Sequence, residues 1–404
     1  MKEVLIQEYN STEILRIPHK EPKNDIVVNF NDGPFVEVLG PKTSEYKIAM
    51  GVKNDDILEP YYTNTVNNNM WTKGSRKYYT PWHIQIWEKI NGQFVKIYDE
   101  PQDLKDKTVY ITLDSRALGD TLAWFPYVEE FRKKHECKVI CSTFHNAWFE
   151  KTYPDIMFVP HDTQLHGVYA HYNIGWFYNE EDKIDHYKIP IDFRTKYLGE
   201  TASSILGLEP IEIKPKIHFE DSGPNIKGKY VCIAPHASSH AKYWLYENGW
   251  QEIIKYLNQK GYKVVLISQE PLNDEWHDSK LNSTMKGLYN KSGDLPIEDR
   301  MIDIKHADAF IGVGSGLSWL AWALETPVVM ISGFSDPISE FTTGVERIYA
   351  PENKCRGCFN THRLDAGNWE WCPLQENTER QFECSKSITP EVVIDAFNRA
   401  INIY

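Results

Sequence analysis

No uncharged stretch of this sequence is apolar enough to span a bilayer, which excludes a helical membrane anchor among its expected features. The opening residues meet Glu3 and Glu8 before any long apolar run forms, so they lack the pattern of a secretory signal and predict a cytoplasmic protein. Positive charge is also short: 44 Lys and Arg against 57 Asp and Glu leave a net charge of -13. That balance argues against nucleic acid as a partner held by phosphate neutralisation. Asp-x-Asp occurs nowhere, so no such carboxylate pair is available to hold Mg²⁺ on a diphosphate. Cysteine is scarce over most of the chain; Cys137, Cys141 and Cys232 stand apart, and a disulfide framework is not expected in a reducing compartment.

What the chain does have is apolar material for cores, 41% hydrophobic and 13% aromatic over 404 residues, enough for two or three domains. Residues 1–105 carry short alternating or apolar segments at 26–30, 35–38, 46–50 and 83–87. Turn signals such as Asn31-Asp32-Gly33-Pro34 and Asn91-Gly92 separate them, which predicts a small all-β accessory domain. Its role, docking, assembly or acceptor binding, is left open by the pattern. From residue 106 strands alternate with helices. A strand at 108–113, a helix at 121–134 and a strand at 138–142 make a βαβ unit, with a further strand at 156–159 and a helix at 195–206. The aromatic segment 169–178 reads as core packing or a ligand wall. A link near Ser222-Gly223-Pro224 separates this first Rossmann-like half, 106–222, from a second at 223–350. The second has strands at 230–234, 263–268, 309–311 and 327–331, and helices at 248–260 and 297–305. Residues 351–388 form a cysteine-rich segment and 389–404 a terminal helix. The fold class is α/β with a cleft between the halves.

Four groups of residues can carry chemistry. Residues 312–324, GVGSGLSWLAWAL, pass from an apolar strand through glycines into a helix. Gly312, Gly314 and Gly316 allow close approach or positive φ, Ser315 and Ser318 supply hydroxyls, and the helix start offers unpaired N–H groups that suit a phosphate. An ordinary strand-to-helix turn would look the same. The loop after 230–234 presents His236, Ser238, Ser239, His240 and Lys242, which can collect phosphate oxygens; a solvated lysine is the plain alternative. Gly119-Asp120 follows the first strand of the first half, where Asp120 is either a helix cap or a general base, with Asp114 in reserve. Finally Cys355, Cys358, Cys372 and Cys384 follow C-x2-C-x13-C-x11-C spacing, a four-thiolate site for structural zinc or iron.

Gly119-Asp120, Lys242-Tyr243-Trp244, the Gly316-Leu317-Ser318-Trp319-Leu320-Ala321-Trp322-Ala323-Leu324 helix and Gly333 to Pro337 resemble, in this order, the ADP-heptose glycosyltransferases of lipopolysaccharide core synthesis. The resemblance covers residues 108–340 and implies a GT-B fold. The chain departs from the pattern just before Gly-Leu-Ser, where that family carries an acidic residue and Thr and this one has Gly314-Ser315. With the N-terminal β-domain and the four-cysteine finger added, the chain resembles the bacterial autotransporter heptosyltransferases. That resemblance implies inverting transfer of heptose from ADP-heptose to serines of an autotransporter passenger in the cytoplasm. It also implies iron in the finger and assembly into a large homo-oligomeric ring. On it, His236, Ser238, Ser239, Lys242 and Gly314 to Ser318, with Leu317 among them, bind the donor, and Asp120 is the base. The alternatives are a lipopolysaccharide or other saccharide heptosyltransferase with accessory domains, and a non-catalytic binding module.

Overall fold

Alternation along Glu45–Asn54 buries Tyr46, Ile48 and Met50, and this strand pairs antiparallel with Trp82–Ile90 so that Ile48 faces Ile86. Ile57–Asn67 and Gln93–Pro101 flank the pair, completing a four-stranded antiparallel sheet. The register shifts at Gly51, where a Cβ would stand 1.9 Å from the Glu59 carbonyl oxygen, so only glycine fits. Ile26–Asn29, Phe35–Val38 and Met70–Lys73 make a second antiparallel sheet. The computed structural model describes residues 15–16, 26–41, 43–272 and 280–403; the opening residues with Glu3 and Glu8 lie outside these.

The chain divides into two compact units, the first comprising residues 1–116, 124–191 and 200–211. The antiparallel sheets therefore share a unit with the first parallel sheet. Backbone and side-chain bonds stitch them to it: Phe30 N–H donates to the Tyr169 carbonyl at 2.7 Å and Gln102 Nε2 to the Tyr172 hydroxyl at 3.0 Å. The parallel sheet has the spatial order Ile156–Phe158, Lys138–Ser142, Thr108–Leu113, Ala170–Ile174. The aromatic segment thus supplies an edge strand whose Ala170, Tyr172 and Ile174 are buried, which is core packing. The single helix expected at 121–134 is two, Leu118–Trp124 and Pro126–His135, because Pro126 has no N–H for an intrahelical bond and takes a first-turn position. The helix expected at 195–206 is shorter, Leu198–Ile205, preceded by a single 3₁₀ turn at Phe193–Thr195.

The second unit comprises residues 117–123, 192–199 and 212–404. Its six-stranded parallel sheet runs Tyr289–Asn290, Lys263–Leu266, Tyr230–Ala234, Ala309–Val313, Val328–Ile331, Val345–Ile348. Tyr230–Ala234 and Ala309–Val313 are buried at every residue, as central parallel strands covered on both faces must be. Pro390–Ile403 packs Val393, Ala396, Phe397 and Ala400 onto this sheet at helical spacing, and Phe397 meets Tyr262 edge-on with ring centroids 5.5 Å apart. Among the described residues no helix is long and apolar enough to cross a membrane.

Candidate functional site

Numbered in chain order, the strands of the six-stranded sheet lie 3-2-1-4-5-6, and the order reverses between Tyr230–Ala234 and Ala309–Val313. Ligands of open α/β sheets bind beyond the carboxyl ends of the strands at such a switch point. Ala234 and Gly312 are register partners across it. The histidine-serine-lysine loop and the glycine turn therefore leave the sheet side by side, although about eighty residues of chain separate them.

The first loop is firmly built. His236 is buried and meets Tyr243 edge-on, while His240 is held through Nδ1 to Glu370 at 2.9 Å and through Nε2 to the Lys280 carbonyl at 3.0 Å. His240 is thus committed to the scaffold. Ser239 is 5% exposed and its hydroxyl has no hydrogen-bond partner among the described residues, which costs about 1–3 kcal/mol unless a ligand satisfies it. Ser238 is exposed, 3.5 Å from Lys242 Nζ. The Lys242 ammonium lies 5.5 Å from the Phe334 ring centroid. Burial pushes its pKa below the ordinary lysine value, and the carboxylates of Asp120 and Glu340 pull it back up. Tyr243 and Trp244 behind it are core: the indole N–H donates to the Ile388 carbonyl at 2.9 Å.

The second loop opens a helix, Gly316–Ala323, whose N-cap residue Ser315 makes no side-chain cap. Its hydroxyl is buried and unpartnered, and the first-turn N–H groups at Gly316 and Leu317 have no intrahelical acceptor. Ser318 differs from the expectation of a ligand hydroxyl: it is fully buried and donates to the Val313 carbonyl at 2.7 Å, closing the turn. None of Gly312, Gly314 and Gly316 has positive φ. What the turn exploits is their lack of a side chain, since a Cβ on Gly316 would stand 2.8 Å from Leu118 Cβ and one on Gly312 2.5 Å from the Phe310 ring.

Leu118 introduces the segment carrying Asp120. Residues 117–123 pack with the second unit, and a Cβ on Gly119 would lie 2.9 Å from Trp319 Cδ1. Asp120 is half-buried in the first turn of Leu118–Trp124, two residues past its start, rather than at the N-cap. Its carboxylate acts on the Lys242 ammonium. Asp114 is in the first unit, exposed at the end of Thr108–Leu113, with its N–H bound to the Ile174 carbonyl at 2.8 Å. The structure thus brings Asp120, Lys242 and the glycine turn together and places Asp114 in a different unit.

Sequence reasoning missed Glu340 and Arg347. Both are nearly buried, and Arg347 Nε donates to Glu340 at 3.1 Å. Only the strand order shows that they belong here: Arg347 is on the strand next to Val328–Ile331, and no motif marks it.

The cysteine segment packs into the same core, with Cys358, Trp371, Cys372 and Phe382 buried. It also clasps the loop Gly333 to Pro337. Gly357 N–H donates to the Gly333 carbonyl at 2.9 Å and Asp336 N–H to Asn360 Oδ1 at 2.7 Å, while a Cβ on Gly333 would meet Cys384 Cβ at 2.7 Å. Cys355 and Cys358 hydrogen-bond through their thiols, and burial pushes the Cys358 and Cys384 thiols up to about 12. Cys358 feels the charge of Cys355, Cys384 and Cys372, and Cys355 and Cys384 each feel that of Cys372. Among the described residues no three His, Cys, Asp or Glu side chains stand in a metal-holding arrangement. The chemistry of the donor set, four neighbouring thiols in one loop-rich segment, nevertheless fits a soft transition metal.

Residues 204–360 match glycosyltransferase family 9 (heptosyltransferase). The chain is 35% identical to the autotransporter heptosyltransferase Aah of Escherichia coli, covering 93% of each chain. It is 32% identical to BimC of Burkholderia thailandensis, an inactive autotransporter heptosyltransferase, over 90% of this chain and 83% of BimC. Its fold superposes with a TM-score of 0.81 on the crystal structure of TibC, an iron-containing dodecameric glycosyltransferase of enterotoxigenic E. coli, at 33% identity over 96% of this chain and 98% of TibC. TibC has also been solved with ADP-D-β-D-heptose, and the chain matches that complex with a TM-score of 0.82, 32% identity and coverage of 96% and 98%. Identity above 30% over nearly the whole length leads to one conclusion: the chain belongs to the autotransporter heptosyltransferases and is a glycosyltransferase.

Proposed function

We propose that this protein transfers heptose from ADP-glycero-manno-heptose to serine hydroxyls of an autotransporter passenger, with inversion, in the cytoplasm. The observation that carries the reading is geometric: the Lys242 loop and an uncapped helix start leave the sheet side by side at the switch point, with the Asp120 carboxylate near enough for its charge to act on Lys242. Lys242 and the N–H groups of Gly316 and Leu317 hold the diphosphate and stabilise charge that grows as ADP leaves. Ser239 and Ser315 donate their spare hydroxyls to its oxygens. Asp120 accepts the serine proton as the hydroxyl oxygen bonds to the anomeric carbon and the bond to phosphate breaks. Lysine and backbone N–H groups neutralise the diphosphate without a catalytic Mg²⁺. The two halves form a GT-B enzyme.

Cys355, Cys358, Cys372 and Cys384 hold a structural iron, with zinc as the alternative set by the same donors. When bound, the metal supplies a crosslink that stabilises the segment clasping Gly333 and Asp336. The subunits assemble into a large homo-oligomeric ring, a reading supported by TibC being dodecameric.

Because BimC is inactive at 32% identity, the Asp120–Lys242 pair rather than overall likeness is the point to test. Asp120→Asn should lower transfer to a passenger fragment by at least about a thousandfold, while ADP-heptose affinity stays within a few-fold. Near-normal turnover by mass spectrometry would remove Asp120 as the base.

A further inference from the structure

The turn Gly312 to Gly316 has no acidic side chain, yet a carboxylate reaches it from elsewhere. Glu340 follows the 3₁₀ turn Pro337–Ser339, and its Oε1 lies 3.6 Å from where a Cβ on Gly314 would stand. The carboxylate is 7% exposed and fixed on two sides. Oε1 accepts the Ser335 hydroxyl, and Oε2 accepts Arg347 Nε at 3.1 Å. Arg347 is itself pinned to the Ser332 carbonyl at 2.8 Å, the Ile348 carbonyl at 2.5 Å and the Ser335 carbonyl at 2.8 Å. Ser332 closes the other wall, its hydroxyl 3.3 Å from the same point on Gly314.

Such a carboxylate has no business with phosphates, which it repels. It suits hydroxyl donors. An ionised carboxylate offers about four acceptor positions, and Ser335 and Arg347 leave some unfilled. The missing Cβ at Gly314 leaves no side chain there between this carboxylate and the turn. The charge of Glu340 also acts on the Lys242 ammonium, as that of Asp120 does, so both carboxylates lie near this cation. A sugar attached to the diphosphate, with its anomeric carbon toward Asp120, has Glu340 as the fixed acceptor beside its ring and side-chain hydroxyls.

We propose that Glu340 reads the sugar of the donor: its carboxylate accepts hydroxyl hydrogens of the heptosyl group, and Arg347 positions it. The inference rests on the nucleotide-heptose reading given above. A residue that only neutralised Arg347 would support the fold and would not distinguish ADP from ADP-heptose.

The test compares the affinities of full-length wild type and Glu340→Gln for ADP and for ADP-heptose by calorimetry. Gln keeps the shape and the contact with Ser335. Glu340→Gln should weaken ADP-heptose binding at least about tenfold, the effect of losing a charge-assisted hydrogen bond, and leave ADP within about twofold. Adding Gly314→Asp to Glu340→Gln, which puts a carboxylate beside the same point, should recover part of the preference for ADP-heptose. Equal weakening of both ligands, or of neither, overturns the proposal. A wild type that binds ADP-heptose no better than UDP-glucose sinks the nucleotide-heptose reading instead, which separates the two failures. If Glu340→Gln proves unstable, Glu340→Asp, which withdraws the carboxylate by one methylene, must show the same selective loss.

Discussion

Gly119 lies against the indole edge of Trp319, close enough that a Cβ on it would stand 2.9 Å from Cδ1 and 3.3 Å from Nε1. Trp319 is nearly buried, edge-on to both Trp322 and Phe341, so it cannot yield freely. The contact sets how near the Asp120 segment comes to the glycine-turn helix. Gly119→Ala should therefore displace Asp120 and cut kcat/KM at least about tenfold. Combined with Trp319→Leu, which removes the obstruction, the alanine should cost less than it does alone. Effects that simply multiply across the double-mutant cycle would show that the contact does not position the aspartate.

Lys242→Ala removes the only charge the first loop offers a diphosphate. A charge-assisted hydrogen bond of about 1.5–3 kcal/mol corresponds to roughly ten- to hundredfold weaker ADP binding. Unchanged affinity by calorimetry would take the lysine out of the site. The companion expectation is that transfer continues in excess EDTA. Activity lost there and restored by Mg²⁺ would contradict neutralisation by lysine and backbone alone.

Desolvation pushes the thiols of Cys358 and Cys384 up to about 12, so without a metal they stay neutral at physiological pH. Metal binding must release their protons, which makes loading weaker as pH falls. Cys372→Ser should abolish stoichiometric metal and lower Tm, because the segment it anchors clasps Gly333 and Asp336. Elemental analysis finding no metal in the wild-type protein would refute the site.

His171 gives a pH dependence of stability. It stacks on Tyr110 at 4.9 Å between ring centroids, and its Nε2 lies 3.1 Å from Thr112 Oγ1, whose own hydrogen goes to Asn173. The imidazole N–H is therefore the donor to Thr112. Burial lowers the pKa from 6.5 to about 4. Above pH 6.5 both folded and unfolded chains hold it neutral and it contributes nothing to the pH dependence. Between about 6.5 and 4 the unfolded chain takes up a proton that the folded chain refuses, so stability falls with pH, by about 3 kcal/mol in all. His171→Gln should flatten part of the decline in urea-unfolding free energy over that window. An unaltered slope would assign the acid sensitivity to other groups.

The sequence by itself determined the parallel strands to within a residue or two at Thr108–Leu113, Lys138–Ser142, Tyr230–Ala234 and Val328–Ile331. Strands covered on both faces must be continuously apolar, and such runs are visible without a partner. It missed Ile57–Asn67 and Gln93–Pro101, because edge strands with little burial impose no pattern on their side chains. It located Asp120, Lys242 and the glycine turn from local signals, since turn chemistry and helix starts are local. Tertiary structure alone decided which hydroxyls remain available: Ser318 spends its hydrogen on Val313, whereas Ser239 and Ser315 keep theirs. It also decided that Asp120 shares a unit with Lys242 while Asp114 does not, and that Glu340 approaches Gly314. Those relations depend on strand order and loop closure across tens of residues, and hydrogen bonding and packing over such separations leave no period in the chain.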